Sequence, residues 1–198
     1  MNCIMFTNNS KKCDELKAIL ADHAINVVPY KDVISHEIDV IEDGVTFEEN
    51  ALKKVRALSH LKDGIKLADD SGIEVDCLDG KPGIYSARYG GEALTDQERC
   101  DYLLNQIKDK SNRKAQFRCV IAMIFPDGTE KITQAIVKGT LSDDVRGESG
   151  FGYDPLFIPN GYQKTFAELG PSIKYQISHR GKALVKASHH IKTFYKNK

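Results

Sequence analysis

The sequence predicts an α/β chain built on a mixed β-sheet. Two observations carry that reading. Short apolar runs of extended character interleave with segments whose apolar residues recur at helical spacing. At least one pair of runs, 115–125 and 130–139, is joined by the turn Pro126-Asp127-Gly128 and reads as a hairpin, so the sheet cannot be wholly parallel. At 198 residues the chain suits one domain, or one domain with two lobes.

The elements follow in order. Residues 2–6 form a short buried strand. From Lys11 to about His23, Cys13, Leu16, Ile19 and Leu20 keep helical spacing, and Asn9 or Ser10 can cap that helix. A strand, a polar loop and a helix start make a natural phosphate cradle, because the first turn offers unpaired N–H groups and a positive dipole end. The glycines of a Walker A loop are missing. Residues 25–30 read as the next strand, and 36–44 carry acids on a partly extended segment. Thr46 and Glu49 have capping-box spacing, so a helix should run from there to about Lys62 with the stripe Phe47, Ala51, Val55, Leu58 and Leu61. Lys54 falls inside that stripe. It either snorkels or emerges to meet an anion.

Ile65 to Ala68 reads as a short strand that ends in Asp69, Asp70, Ser71 and Gly72, a turn. A second capping-box pattern opens a helix over 95–108. In 115–125, Phe117, Cys119, Ile121, Met123 and Phe125 share one face. Residues 146–170, rich in Gly, Pro and aromatics, read as a shaped loop rather than a helix. Ser178, His179, Arg180 and Gly181 open a C-terminal helix that packs through Leu184, Ala187, Ile191 and Phe194.

Charge and cysteine usage narrow the function classes. Basic and acidic residues balance at 28 each, which disfavours sequence-independent nucleic-acid binding. The five cysteines are scattered and form no CxxC, which suits free thiols in a reducing compartment and speaks against structural zinc. No stretch reads as a signal peptide or a membrane span, so the expectation is a cytoplasmic protein with no membrane partner. No supported Ser-His-Asp set and no HExxH occurs.

The chemistry gathers around 67–91. Two adjacent carboxylates repel unless a cation or a water network separates them, and a hard cation such as Mg2+ would relieve the repulsion; a solvated acidic turn is the plain alternative. Lys12 sits in a helix's first turn and Lys54 in an apolar stripe, and both suit an anion. Phe151 and Tyr153 could stack on a flat ring across Gly152, or pack in a core. His179 and Arg180 at a helix start call for anionic or keto-oxygen partners. One acidic centre, several lysines and an aromatic loop together suit a nucleoside triphosphate with Mg2+.

The stretches TNNSKK (7–12), EDGVTFEENALKK (42–54), LADDSGIEVDCLDGKPGIYSARYGG (67–91), GFGYDPLF (150–157), KTFAEL (164–169) and ISHRGKAL (177–184) carry a resemblance over nearly the whole chain. Together they resemble the inosine/xanthosine triphosphate pyrophosphatase family, the HAM1-like non-canonical purine NTP pyrophosphatases. The resemblance implies a long central mixed β-sheet flanked by helices, with two lobes and an active-site cleft between them, the whole of 1–198 forming one domain. It also implies a homodimer, and hydrolysis of ITP, dITP and XTP to the monophosphate and pyrophosphate with Mg2+.

Carried over by position, Thr7, Asn8, Asn9, Ser10, Lys11 and Lys12 are implied as the first substrate-binding motif. Glu42 and Asp70 are implied as metal ligands, Lys54 as a phosphate lysine, Asp70 as the proton acceptor and Ser71 as its neighbour at the phosphates. Phe151, Gly152, Tyr153 and Asp154 are implied as the nucleotide loop, and Lys174, His179 and Arg180 as the residues that hold and read the purine. Asn8 stands where the family commonly has Gly, so that turn is expected to be strained or to donate differently. Tyr175-Gln176 follows Lys174 where Asn is frequent. A pyrophosphatase of the Maf type, a non-catalytic nucleotide-binding regulator and a nucleic-acid-binding module are the competing readings; the GFGYDP and SHRG segments argue against the first.

Overall fold

The computed structural model describes residues 2–197. The strands are β1 (Asn2–Phe6), β2 (Asn26–Pro29), β3 (Ile65–Val75), β4 (Lys114–Ile124), β5 (Glu130–Leu141) and β6 (Phe157–Pro159). The helices are α1 (Ser10–Ala21), α2 (Phe47–Arg56), α3 (Asp96–Gln106), α4 (Phe166–Ile177) and α5 (His179–Lys196). The strands form one six-stranded sheet in the order β2-β1-β3-β4-β5-β6. β1 lies parallel to β2 and to β3, whereas β5 and β6 are antiparallel, so the sheet is mixed as the hairpin required. The β4–β5 turn closes with Phe125 N–H on the Thr129 carbonyl at 2.9 Å. Among the described residues, no helix is long and apolar enough to cross a membrane.

The chain divides into two compact units. The first comprises the residues through Asp70, Cys119–Ala135 and those from Arg180 on; the second comprises Ser71–Arg118 and Ile136–His179. In the first, Met5, Leu16, Leu20, Tyr30, Val55, Leu67, Leu184 and Ile191 are buried, and Phe6 stacks on Tyr30 with ring centroids 4.8 Å apart. The second has a core of Ile73, Val75, Leu103, Phe117, Val137, Tyr153, Phe157 and Phe166. Phe117 meets Phe157 edge-on at 4.8 Å, and Phe157 meets Phe166 at 5.2 Å.

Three elements differ from the sequence reading. β3 does not end at Ala68 but continues through Asp69, Asp70, Ser71 and Gly72 to Val75. Its second half is sustained by the burial of Ile73 and Val75 in the second core and by the Ile73 N–H, which donates to Ser86 Oγ at 2.9 Å. Gly72 therefore serves close approach rather than a turn: a Cβ there would run into the Gly83 carbonyl and the Ser86 hydroxyl. Helix α2 ends at Arg56 and the chain goes on in tight turns, which still bury Leu58. Within the segment read as a loop, α4 begins at Phe166, capped by Thr165 in a full capping box with Glu168. Gly170 (φ 77°) and Pro171 kink it, and this glycine-proline content masked its helical character.

Phe157→Ala should lower stability by about 3–5 kcal/mol, since the ring is fully buried between two aromatic neighbours. Urea unfolding followed by circular dichroism checks this; an unchanged midpoint would remove the ring from the second unit's core.

Candidate active site

In the first unit the β1–α1 turn is organised by its own side chains. Asn9 caps α1, its Oδ1 accepting the Lys12 N–H at 3.1 Å, and Thr7 Oγ1 accepts the Asn9 N–H at 3.1 Å. One first-turn donor expected for phosphate is thus used locally. The turn also resolves the expectation at Asn8, whose backbone is not in the left-handed region. Asn8 Oδ1 accepts the Tyr30 hydroxyl at 2.8 Å, tying the turn to the chain after β2. Asn8 therefore carries no left-handed strain in this turn. Ser10 and Lys11 lie exposed in the first turn of α1, while Lys12 is half-buried and directs its ammonium inward to Asp69, 3.2 Å away.

The two carboxylates are buried at the middle of β3. Successive strand residues face opposite ways, and their partners divide accordingly. Asp69 Oδ2 receives Lys12 Nζ, and also Arg180 Nε at 3.3 Å and Nη2 at 3.2 Å. Arg180 Nη1 in turn donates to Glu15 Oε2 at 2.5 Å. Asp70 Oδ1 receives Lys54 Nζ at 2.8 Å, and the same ammonium reaches Glu42 Oε2 at 3.0 Å. Lys54 therefore does not snorkel. It is buried, and it joins two acids.

These surroundings push the neighbouring acids in opposite directions. Burial would raise the Asp69 carboxyl, but Lys12, Arg180 and Lys54 outweigh it and hold the group well below the usual carboxylate range. Burial also raises Asp70, and here Lys54 and Lys12 do not cancel it, while Glu42 adds to it. Although burial disfavours its charge, the Lys54 ammonium is held protonated by Asp70, Asp69 and Glu42. Asp70 Oδ2 is buried with no hydrogen-bond partner. Among the described residues no group of three or more His, Cys, Asp and Glu side chains gathers as a ready metal site. Glu42 and Asp70, converging on one ammonium, still suit a hard cation that takes one or two carboxylates and completes its shell with water and phosphate oxygens.

In the second unit, Asp154 organises the aromatic loop. Its Oδ2 accepts the Phe151 N–H at 2.9 Å and Lys174 Nζ at 2.7 Å. Lys174 Nζ also lies 4.5 Å from the Phe151 ring centroid, a cation–π contact beneath a half-buried ring. Gly152 N–H donates to Asp96 Oδ2 at 3.0 Å. Of the two aromatics read as stacking candidates, Phe151 keeps an accessible ring. Tyr153 is buried in the core, and its hydroxyl donates to the Ser86 carbonyl at 2.9 Å. His179 is buried and stacks on Phe117 at 4.5 Å with the rings 9° from parallel. Ser71, half-buried, opens this unit directly after Asp70.

The structure thus assembles Lys12, Glu42, Lys54, Asp70 and Arg180 in the first unit, and Phe151, Gly152, Asp154 and Lys174 in the second. Arg180, expected at the purine, is only 2% exposed, and three of its N–H donors go to Glu15 and Asp69. Sequence reasoning missed Glu15, Asp96 and Ser86. Glu15 had a signal: it lies four residues before Ile19 and beside Leu16, on the buried side of α1. Asp96 and Ser86 had none, because both act on backbone groups distant in sequence.

Comparison with known proteins places the chain in a family. The profile of the Ham1 family matches residues 3–190. The dITP/XTP pyrophosphatase of Streptomyces coelicolor is 47% identical over 183 residues, covering 91% of this chain and 92% of that protein. The protein of the same name from Clostridium perfringens is 42% identical over 201 residues, covering 98% of each. Among solved structures, the Ham1 protein of Staphylococcus aureus superposes with a TM-score of 0.85 at 40% identity, over 98% of this chain and 99% of that one. With a matching profile over nearly its full length and relatives this similar, the chain belongs to the Ham1 family.

Proposed function

We propose that this protein hydrolyses non-canonical purine nucleoside triphosphates, dITP, XTP and ITP, to the monophosphate and pyrophosphate. The observation that carries the reading is Asp70: a buried carboxylate with one oxygen lacking a partner, raised above its ordinary pKa, and flanked by Lys54 and Glu42. The names borne by the curated relatives support the substrate class.

In this reading Asp70 Oδ2 orients a water for attack on the α-phosphorus and takes its proton; a raised pKa suits a general base better than an ordinary carboxylate would. Lys12 and Lys54 draw charge from the phosphate oxygens as it builds on the departing pyrophosphate. Glu42 and Asp70 would hold Mg2+, which when bound supplies Lewis-acid charge to the triphosphate and offsets the carboxylates. Thr7, Asn8, Asn9, Ser10, Lys11 and Ser71 would line the phosphate end. Phe151 would offer its ring to the base, with Gly152 allowing close approach and Asp154 keeping Lys174 in place. Lys174 and His179 would face the purine's keto edge. A contact from Arg180 to the base would draw on N–H groups beyond those that Glu15 and Asp69 take. The reading treats 1–198 as one catalytic domain. By family resemblance it takes the working form to be a cytoplasmic homodimer, which sedimentation would check.

The reading is tested by pyrophosphate release from dITP, XTP, ITP, GTP, ATP and dTTP, with and without Mg2+. Mg2+-dependent release from the first three, with little from GTP and ATP, is the expected result. Release chiefly from dTTP would replace the reading with a pyrimidine-directed one, and tight binding without release would leave a regulator.

Asp70→Asn should lower kcat by about 10²–10⁴-fold while the protein stays folded, as loss of a general base does. Without metal, burial holds Asp70 above the ordinary ~3.9 of an aspartate, so an NMR titration of the Mg2+-free protein should find its protonation above that value. A titration at or below it would contradict the surroundings assigned to Asp70.

Asp69→Asn should behave differently, costing about 3–5 kcal/mol of stability because buried Arg180 and Lys12 lose a partner. Asp69 is depressed in the folded state, so its stabilisation is present above the unfolded pKa and is lost as pH falls through the folded value. The variant should therefore lose that share of acid sensitivity, which urea unfolding at stepped pH would measure. Equal stability of both proteins near neutral pH would contradict the ion-pair assignment.

A further inference from the structure

One buried polar group beside the acidic centre is used by neither the fold nor the proposed chemistry. Asn50 is fully buried on α2 at 0% exposure, one helical turn before Lys54 and so on the same face. Its Oδ1 accepts the Gly44 N–H at 2.8 Å. Its Nδ2 is buried with no hydrogen-bond partner. A buried amide satisfied on only one side is a poor device for stability, since the orphaned donor is costly. An apolar residue of the same size would remove that orphan but leave the buried Gly44 N–H without its acceptor, so what the amide supplies is that one bond.

What the one bond does is local and specific. Gly44 lies two residues after Glu42, and the chain from Glu42 to Thr46 has no helix or strand to hold it. Besides the Lys54–Glu42 pair and the Thr46 cap, three ties fix it to α2: Asn50 to Gly44, Glu49 Oε2 accepting the Val45 N–H at 2.8 Å, and Lys53 pairing with Asp43. The last two lie exposed, where such contacts contribute little. Asn50 is the buried one. The turn also admits no side chain at 44, where a Cβ would come within 2.6 Å of Asn50 Oδ1 and 2.8 Å of Glu49 Cβ.

We propose that Asn50 is a positioning residue for the metal–triphosphate site: through the Gly44 N–H it holds the turn that delivers the Glu42 carboxylate to Lys54 and Asp70. The inference rests on the assignment of Glu42 to the metal made above. Residues that orient a ligand from behind typically change metal affinity by about 10–100-fold when replaced. Asn50→Leu removes the acceptor while keeping the volume, and Gly44→Ala attacks the same bond from the other end, its Cβ pressing on Asn50 Oδ1 and Glu49 Cβ.

The experiment measures the Mg2+ concentration for half-maximal pyrophosphate release from ITP. Alongside it, Mn2+ binding to the full-length protein without nucleotide is followed by electron paramagnetic resonance. The set is wild type, E42Q, N50L, G44A and the double variant E42Q/N50L. The expected result is a 10–100-fold rise in the Mg2+ requirement for N50L and G44A, matched by weaker Mn2+ binding. E42Q/N50L should be no worse than E42Q alone, because two residues acting through one group are not additive.

A lower melting temperature in N50L and G44A with an unchanged Mg2+ requirement would reduce Asn50 to a structural residue and overturn the inference. Multiplicative losses in the double variant would do the same. If E42Q itself leaves the Mg2+ requirement and Mn2+ binding unaltered, the metal assignment of Glu42 fails and takes this inference with it; a shift in E42Q without one in N50L or G44A sinks the inference alone. Should N50L not fold, G44A carries the test unaided.

Discussion

Two adjacent carboxylates buried on one strand are the constraint on which the first unit depends. Side by side in β3, Asp69 and Asp70 cannot both be ionised in a dry interior unless cations reach each of them. Strand geometry sends them to opposite faces, so one cation cannot serve both at close range. The chain meets this with residues far apart in sequence. Lys12 from the start of α1 and Arg180 from the start of α5 go to Asp69, and Lys54 from α2 goes to Asp70. The β1–α1 turn, α2 and α5 are thereby fixed around the middle of β3 by charge as well as by packing.

The allocation is unequal, and the inequality separates two roles. Asp69 has two cations on one oxygen and is locked in the ionised form; its guanidinium partner is itself balanced by Glu15. Asp70 shares a single lysine with Glu42 and leaves one oxygen without a partner. A carboxylate held by two cations and kept far below its ordinary pKa is a good strut and a poor base, because proton uptake would weaken both ion pairs. One held on a single oxygen, with its pKa raised, can accept a proton at the other. Identical residues at consecutive positions thus acquire different chemistry from their partners alone. The second unit shows the same economy: Asp154 both caps the aromatic loop and sets Lys174 under Phe151.

Much of this was legible in the sequence, and what was not has identifiable causes. Helical and strand periodicities located α1, α2, α3, α5 and the β4–β5 hairpin to within a few residues at most boundaries, because amphipathic patterning follows burial directly. Lys54 was visible as a lysine within an apolar stripe. The extent of β3 was hidden, since a pair of acids followed by glycine reads as a turn when their cations lie on other elements. Helix α4 was hidden by Gly170 and Pro171, although Thr165 and Glu168 carried a complete start signal. Arg180 stood out as oddly placed for a helix start, yet its partner Glu15 is 165 residues away in sequence. Tyr153 looked the same as Phe151 at sequence level; only the Ser86 carbonyl and the surrounding core distinguish an anchor from a half-buried ring.

The charge count of the first unit's site bears on what it can receive. Lys12, Lys54 and Arg180 stand among Glu15, Glu42, Asp69 and Asp70, three cations against four carboxylates. Such a centre repels a bare triphosphate, because the lysines a phosphate needs are already engaged with carboxylates of like charge to it. On the reading proposed here, Glu42 and Asp70 would hold a divalent cation whose charge offsets both acids, so that Lys54 could turn to phosphate without leaving either uncompensated. On that reading the excess of negative charge would favour the metal-bound nucleotide over the free polyanion, and Lys54, which joins Glu42 and Asp70 in the protein alone, would be the cation that meets phosphate.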